Sequence, residues 1–379
     1  MIYLDNSATT QPHPEVLKSF EQVSTTFFAN PSSIHQLGGE TEKLLIKSKQ
    51  QAAMLLNVHE DEIIFTSGGT EGNNIAIKGI ALEHQGRGKH IITTEIEHPS
   101  VYEGCKSLET LGFEVTYLPV NQDGVVSVED VEKAIRKDTI LISIMHVNNE
   151  LGSIQPIREI GEISKKNPKL FFHVDNVQGL GKVPLSLDDT GIDLCTMSGH
   201  KIHGLKGTGL LYCRRGVKLF PLFHGGEQEF KIRSGTENLA GAVSLVKALR
   251  LIKEREDTEA VELRKLSQYL REGLKKIDKV VVNTPRNAAP HIINFSIPGL
   301  KPEVMIHTLG KQGIFISTKS ACSSKDLDES RIIKACGYNQ SRTKSALRVS
   351  LSYDNTEEEI KTFLNKIVEA INQLKEVME

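Results

Sequence analysis

The stretch MSGHKIHGLKGTG (197–209) sets Lys201 among glycines, directly after an apolar run. A lysine amine so placed can form a Schiff base with a carbonyl compound. Its neighbours Ser198 and His200 can donate hydrogen bonds to a phosphate, and the glycines allow close approach. His200 and His203 form an HxxH pair, but no cysteine or carboxylate adjoins them, so a metal site is not expected. A second stretch, IIFTSGGTEGNNIAI (63–77), reads as a strand, a glycine turn and a helix start. With Gly69 and Thr70 in that turn, backbone N–H groups and a helix N-terminus would favour an anion. The stretch matches neither GxGxxG nor GxxxxGK[ST], so a nucleotide is not implied. Taken alone it reads as a plain tight turn.

Other polar residues follow apolar runs in the same way. KLFFHVDNVQ (169–178) puts Asp175 at the end of a buried strand, where a carboxylate is costly without a partner. It either caps the next helix or partners a cationic heterocycle nitrogen, and Gln178 is spaced to reach the same ligand. TEIEHPS (94–100) places His98 after a strand end. Isolated histidines of this kind are more often structural, but in this company a ring stacked on a planar cofactor is the better reading. NNE (148–150) offers Asn149 to a cofactor hydroxyl, and RSGTEN (233–238) is a polar loop with Arg233 and Thr236. Arg348 lies inside the strand pattern ALRVS, where a buried arginine needs an anion. A substrate carboxylate would serve through bidentate pairing.

The last candidate is a thiol. STKSACSSK (317–325) holds Cys322 among small polar residues, whereas free cysteines are usually buried small hydrophobes. The other four fit that rule: Cys195 and Cys213 lie in or beside apolar runs, and Cys105 and Cys336 read as helix residues. Five widely spaced cysteines without a CxxC pair indicate neither a disulfide framework nor a cysteine-rich zinc site. Together the chain carries a phosphate cradle, a stacking ring, an acid for a ring nitrogen, a Schiff-base lysine and a carboxylate clamp. Those are the parts a pyridoxal phosphate enzyme needs.

Positioning these groups requires a scaffold. Apolar runs at 62–66, 90–94, 114–120, 139–147, 169–175, 194–198 and 209–213 alternate with helical patterns such as 71–84, 127–136 and 156–166. That alternation predicts an α/β fold with a mostly parallel sheet flanked by helices, whose ligands bind beyond the carboxyl ends of the strands. Residues 239–256 and 259–277 read as two successive helices. The pattern then changes to runs at 280–283, 291–297, 314–318 and 346–352 with helices at 302–312 and 327–336, as in a smaller α+β domain. Thr356 and Glu359 form a capping box for a final helix with an apolar stripe from 360 to 377. The length of 379 residues suits two domains. A net charge of −2 gives no sign of a nucleic-acid or membrane surface. No signal peptide and no membrane span are visible, so a cytoplasmic location is expected.

At this point the chain resembles the cysteine desulfurases of the class V aminotransferase group, in the branch similar to NifS and IscS. The resemblance runs nearly end to end. It rests on YLDNSATT (3–10), NPSSIH (30–35), TSGGTEGNN (66–74), EIEHPSV (95–101), HVNNELG (146–152), HVDNVQ (173–178), SGHKIHGLKG (198–207), RSGTEN (233–238) and SAC (320–322). It implies a type I pyridoxal-phosphate-dependent transferase fold with a seven-stranded, mostly parallel sheet. Residues 16–258 would form the large domain, and 1–15 with 259–379 the small one carrying the Cys322 loop. Lys201 would hold pyridoxal 5'-phosphate and remove the substrate proton, Asp175 would pair with the ring nitrogen, and Gln178 would reach the ring hydroxyl. His98 would stack on the ring and help proton transfers, as a catalytic residue beside Lys201 and Cys322. Gly69, Thr70, Ser198 and His200 would surround the phosphate, with Thr236 reaching the phosphate of the partner subunit in a homodimer.

Asn149 and Arg348 would bind the substrate carboxylate region. Cys322 would take sulfur from L-cysteine, leaving L-alanine, and pass it from a long mobile loop to an acceptor. That acceptor would be an iron–sulfur scaffold, a tRNA-thiolating enzyme or a thiamine-pathway protein. Four departures stand out from the resemblance. Lys319 replaces a common glycine, Asn176 and Gly179 replace alanines, and Ser352 replaces a glycine. Lys319 adds charge near the thiol, which would lower its pKa or contact an acidic acceptor. Rival readings are a selenocysteine lyase, another aminotransferase-like enzyme or kynureninase-like hydrolase, and a non-catalytic sulfur-assembly subunit or metal-binding scaffold.

Overall fold

A computed structural model describes residues 1–318 and 329–378 of the chain. From the N-terminus, β1 (Ile2–Tyr3) precedes α1 (Pro14–Thr26) and α2 (Gln36–Leu56). An alternating series follows: β2 (Ile63–Thr66), α3 (Gly69–His84), β3 (His90–Thr94), α4 (Pro99–Glu109), β4 (Glu114–Leu118), α5 (Val128–Ala134), β5 (Thr139–Met145), α6 (Ile157–Lys165), β6 (Phe171–Asp175), β7 (Leu194–Ser198) and β8 (Gly209–Cys213). Then come α7 (Leu239–Lys275), β9 (Val281–Val282), β10 (Ile292–Ser296), α8 (Pro302–Gly310), β11 (Ile314–Phe315), α9 (Arg331–Ala335), α10 (Gln340–Thr343), β12 (Ala346–Ser350) and α11 (Glu357–Met378).

The seven expected runs form one sheet in the order β2-β8-β7-β6-β5-β3-β4. Every pairing from β7 across to β4 is parallel, and β8 alone runs against its two neighbours. Successive strand residues point to opposite faces. Ile63, Ile92, Ile142, Cys195 and Leu210 therefore join a core with α2, α5, α6 and α7. Ile64, Ile91, Leu141, Leu194 and Leu211 join another with α3 and α4. Burial on both faces explains why these strands read as continuous apolar runs.

The remaining strands make a three-stranded antiparallel sheet, β12-β10-β9, and the parallel pair β1-β11. Leu4, Phe295, Leu309, Leu347 and Val349 share a core there with Ile360, Phe363, Ile367 and Ile371 of α11. The capping box of α11 forms: Thr356 N–H donates to Glu359 Oε2 at 3.0 Å, and Glu359 N–H donates to Thr356 Oγ1 at 3.3 Å.

One expectation is corrected. The two helices expected at 239–256 and 259–277 are a single helix of 37 residues, α7. Asp257 and Thr258 do not break it, because neither residue forbids helical geometry. Thr258 Oγ1 donates back to Glu254 O at 2.8 Å, and Arg255 pairs with Glu259 at 2.9 Å across the same turn. The N-terminal half of α7 packs Leu245, Leu249 and Ile252 on the large sheet. The C-terminal half packs Leu263, Leu266, Leu270 and Leu274 on the other core. Residues 258 and 259 thus fall in mid-helix.

Three helices, α1, α2 and the short α10, add to the expected set. The N-caps of α1 and α2 are His13 and His35, each accepting a backbone N–H at 3.1 Å, rather than the usual Ser, Thr, Asp or Asn.

Candidate functional site

The carboxyl ends of β2, β3, β5, β6 and β7 open on one cavity of about 270 Å³. Gly69, Thr70, His98, Asn149, Asp175, Gln178, Ser198, His200, Lys201 and Arg348 all line it. Ten of the twelve residues singled out in the sequence are thereby brought together. Thr236 is not among them: it lines a separate cleft of about 260 Å³ with Ser67, Gly207 and Arg233. Cys322 and Lys319 lie outside the described residues, as does the start of the helix expected at 327–336.

Lys201 sits in a short 3-10 turn, Gly199–Lys201, directly after β7. Its Nζ donates to the carbonyl of Ala8 at 2.8 Å and to that of Ser7. Gln178 Nε2 donates to the same Ser7 carbonyl at 3.0 Å. The carbonyl of His200 accepts from Thr10 N–H at 2.8 Å. The N-terminal segment therefore crosses the lysine and gives the motif YLDNSATT a place in the site.

Asp175 ends β6 and is 5 % exposed. Its Oδ1 accepts from Val177 N–H at 3.0 Å, and its Oδ2 from Asn73 Nδ2 at 2.8 Å. The expected helix-capping role is not found, because turns rather than a helix follow β6; Asp175 instead closes the turn at Val177 and stands as an ordered cavity carboxylate. Asn73 Nδ2 also donates to Ser100 Oγ at 2.8 Å, and Ser100 Oγ lies 2.8 Å from His98 Nδ1. Burial pulls the His98 pKa down; Asp175 opposes that shift, while Lys201 and Arg331 add to it. Burial, helped by Lys201 and Lys206, takes His200 down to about 4. Both imidazoles are therefore neutral at pH 7.

The phosphate cradle can be tested on these atoms. Ser198 Oγ is buried without a hydrogen-bond partner among the described residues. It lies beside the first turn of α3, where a Cβ on Gly69 would come within 2.8 Å of Val177 and 3.8 Å of Ser198 Cβ. A buried orphan hydroxyl at a helix N-terminus suits an anion. With the Asp175 carboxylate and the Lys201 amine lining the same cavity, the site fits a phosphate-bearing aromatic cofactor.

Arg348 departs from its simplest reading. It is 1 % exposed, and its buried anion is Asp5: Nη2 lies 2.9 Å from Asp5 Oδ1. Nη1 donates to the Asn149 carbonyl at 2.8 Å. Nε alone has no partner among the described residues. Burial raises the Asp5 pKa against the pull of Arg348. The arginine is thus held by the chain itself, and Asp5 and Asn149 take only two of its five N–H groups.

Beneath the histidine lies Glu97, fully buried. Its Oε1 accepts from Thr94 Oγ1 at 2.7 Å and from Met145 N–H at 3.1 Å, while Oε2 has no partner among the described residues. Burial pushes its pKa up to about 8. Asp5, Asn73, Glu97 and Ser100 were not singled out in the sequence. Asn73 and Ser100 lie within the motifs TSGGTEGNN and EIEHPSV, which is the signal that could have found them.

Two of the noted departures answer each other. His146 Nδ1 lies 2.8 Å from Asn176 Oδ1. A Cβ on residue 179 would stand 2.3 Å from that nitrogen and 2.4 Å from that oxygen. Asn176 with its histidine bond thus requires glycine at 179.

All four cysteines among the described residues are buried. Burial raises every one of their thiols, Cys213 and Cys336 to about 12 and Cys105 and Cys195 further. The chain on either side of 319–328 is anchored at the cavity. Ser317 exchanges backbone hydrogen bonds with Arg348 at 3.1 and 2.7 Å. Ser330 Oγ donates to Glu150 Oε2 at 2.6 Å, and the Arg331 guanidinium donates to the carbonyls of Glu97, at 2.6 Å, and Glu95.

Comparison with known proteins adds the family. Residues 2–363 match the aminotransferase class-V family. The chain is 43 % identical over 378 residues to a cysteine desulfurase IscS of Dictyoglomus turgidum, covering 99 % of this chain and 96 % of that protein. It is 48 % identical over 371 residues to a NifS/IcsS protein homolog of Lactobacillus delbrueckii subsp. bulgaricus, covering 96 % and 95 %. A solved NifS-like protein superposes with a TM-score of 0.92 at 38 % identity, covering 98 % of this chain and 99 % of that one.

Proposed function

The chain belongs to the class-V aminotransferases and, within them, to the cysteine desulfurases, and on that premise we propose how its residues remove sulfur from L-cysteine. Pyridoxal 5'-phosphate, the cofactor of this family, supplies the electron sink that acidifies the substrate Cα–H. Thr70, Ser198 and His200 hold its phosphate, with Gly69 giving the approach. Asp175, kept in place by Asn73 and Val177, would pair with the ring nitrogen. Gln178 would reach the ring hydroxyl, and the imidazole of His98 would stack on the ring. Lys201 would hold the cofactor and carry the substrate proton, with the carbonyls of Ser7 and Ala8 orienting its amine. Arg348, through N–H groups that Asp5 and Asn149 leave open, and Asn149 would hold the substrate carboxylate.

Cys322 then takes the substrate sulfur as a persulfide. Its thiolate bonds to that sulfur, the electrons of the C–S bond stay with carbon, and protonation of that carbon yields L-alanine. The observation that carries this assignment is the contrast among thiols. Four of the five cysteines are buried with raised pKa values, and the segment holding the fifth is flanked by residues bonded to Arg348, Glu150 and the His98 turn. The test is sulfide and alanine release from L-cysteine with a reductant, for wild type and Cys322→Ser. Equal amounts from wild type and almost none from the variant are expected. Full activity in the variant would make the protein a lyase of another kind.

Finer points belong to the same reading. The enzyme works as a homodimer. Phe28, Ile34, Phe220, Phe223 and Phe230 are exposed, and Phe223 and Phe230 flank the Arg233–Thr236 cleft. Thr236 thus reaches the partner's phosphate. Residues 16–258 serve as the cofactor-binding unit, and 1–15 with 259–379 as the unit bearing the thiol. The persulfide goes to a protein of iron–sulfur assembly or of tRNA thiolation in the cytoplasm. No helix among the described residues is long and apolar enough to cross a membrane.

A further inference from the structure

We propose that Asn73 and Ser100 are positioning residues that fix one tautomer of His98, with Nδ1 bare and the proton on Nε2. The inference rests on the reading of this cavity as the cofactor site, but its argument uses only atoms of the chain. It begins at Asp175. A carboxylate only accepts hydrogen bonds, so the atom of Asn73 that lies 2.8 Å from Asp175 Oδ2 must be the amide nitrogen. The same nitrogen lies 2.8 Å from Ser100 Oγ, so its second N–H goes to the hydroxyl. Ser100 Oγ is thereby an acceptor, and its own proton is free to point at His98 Nδ1, 2.8 Å away.

The backbone N–H of Ser100 points at the same nitrogen from 3.2 Å, as an N-cap contact at the start of α4. Two donors thus converge on one lone pair. Neutral histidine keeps a single N–H, which must then be on Nε2. That nitrogen makes no hydrogen bond within the described residues, while the ring lines the cavity. The relay therefore presents a hydrogen-bond donor to whatever the cavity holds, and ties its direction to the Asp175 carboxylate. Protonation at Nδ1 would set a new N–H against the Ser100 backbone N–H and force the hydroxyl to turn away. Of the charged groups around the ring, Asp175 favours protonation and Lys201 and Arg331 oppose it; the nearby His200 is neutral. The hydroxyl adds to that opposition.

The test is a two-bond proton–nitrogen NMR correlation on cofactor-free protein labelled with 15N-histidine. The His98→Gln variant identifies the His98 signals among the 13 histidines. The expected wild-type pattern is a bare Nδ1 and a protonated Nε2 at neutral pH. In Ser100→Ala the titration of His98 moves to higher pH, in Asn73→Ala it moves the same way by less, and in Ser100→Thr it stays with wild type. A proton on Nδ1 in the wild type would overturn the proposal. So would a Ser100→Ala protein that folds normally and titrates like wild type. Because no cofactor or cysteine is present, the result is independent of the sulfide and alanine assay, so either reading can fail without the other.

Discussion

The cavity around Lys201 and the cleft around Thr236 are nearly equal in volume, about 270 and about 260 Å³, yet they are built differently. In the cavity, the strand ends supply side chains that hold one another: Asp175 through Asn73, His98 through Ser100, Arg348 through Asp5. The cleft instead rests on a left-handed turn. Glu229, Phe230 and Lys231 have φ of 46°, 57° and 66°, a conformation that side chains resist. Glu229 pins that turn by accepting from Lys49 Nζ at 2.6 Å and Phe65 N–H at 3.2 Å, while Phe230 stands exposed beside it. One site is organised by side chains that bond one another. The other is framed by a strained turn with the exposed Phe223 and Phe230 beside it.

The largest effect that would sharpen this contrast is at the cavity. Lys201→Ala should lower alanine formation by at least about a thousandfold, since a positioned proton carrier contributes about 10²–10⁴ and the anchor is lost with it. Near-normal turnover would place the chemistry elsewhere. Thr236→Ala should act through the cofactor instead. Losing one hydrogen bond to a charged group removes about 1.5–3 kcal/mol, so cofactor retention in equilibrium dialysis should weaken about tenfold to a hundredfold. If Thr236→Ala retains cofactor as wild type does, the cleft and the cavity are unrelated.

The smallest effect concerns stability. Glu97 has a folded-state pKa near 8, above its ordinary 4.5. Between those values the unfolded state binds fewer protons, so stability is full below about 4.5 and falls as pH rises toward 8. The slope is at most about 1.4 kcal/mol per pH unit for one proton. Glu97→Gln should flatten that alkaline decline in urea melts, and an unchanged slope would mean the carboxyl is ionised in the native state.

The sequence read best where chemistry and secondary structure coincide. The inner strands were legible because each is buried on both faces, the edge strand β4 because it alternates with helical stretches, and ten site residues because each lies within a few positions of a strand end or in a buried strand. What escaped depends on long-range geometry. Asp5 meets Arg348 across 343 positions, and no local pattern joins them. Asn73 and Ser100 matter only because α3 and α4, which follow strands far apart in the sheet, pack against each other on one of its faces. The continuity of α7 was hidden because Asp257 and Thr258 resemble a cap, and α1 and α2 were hidden behind histidine caps. The gly-for-alanine change at 179 made sense only once His146 was seen against Asn176.

The unbroken α7 has one more consequence. At about 1.5 Å per residue its 37 residues span roughly 56 Å, with one half sealed into each hydrophobic core. A fragment ending at 258 would lose the stripe of Leu263, Leu266, Leu270 and Leu274 and leave the second core without a wall. One cooperative melting transition is therefore expected, and a cut at residue 258 should unfold both cores together.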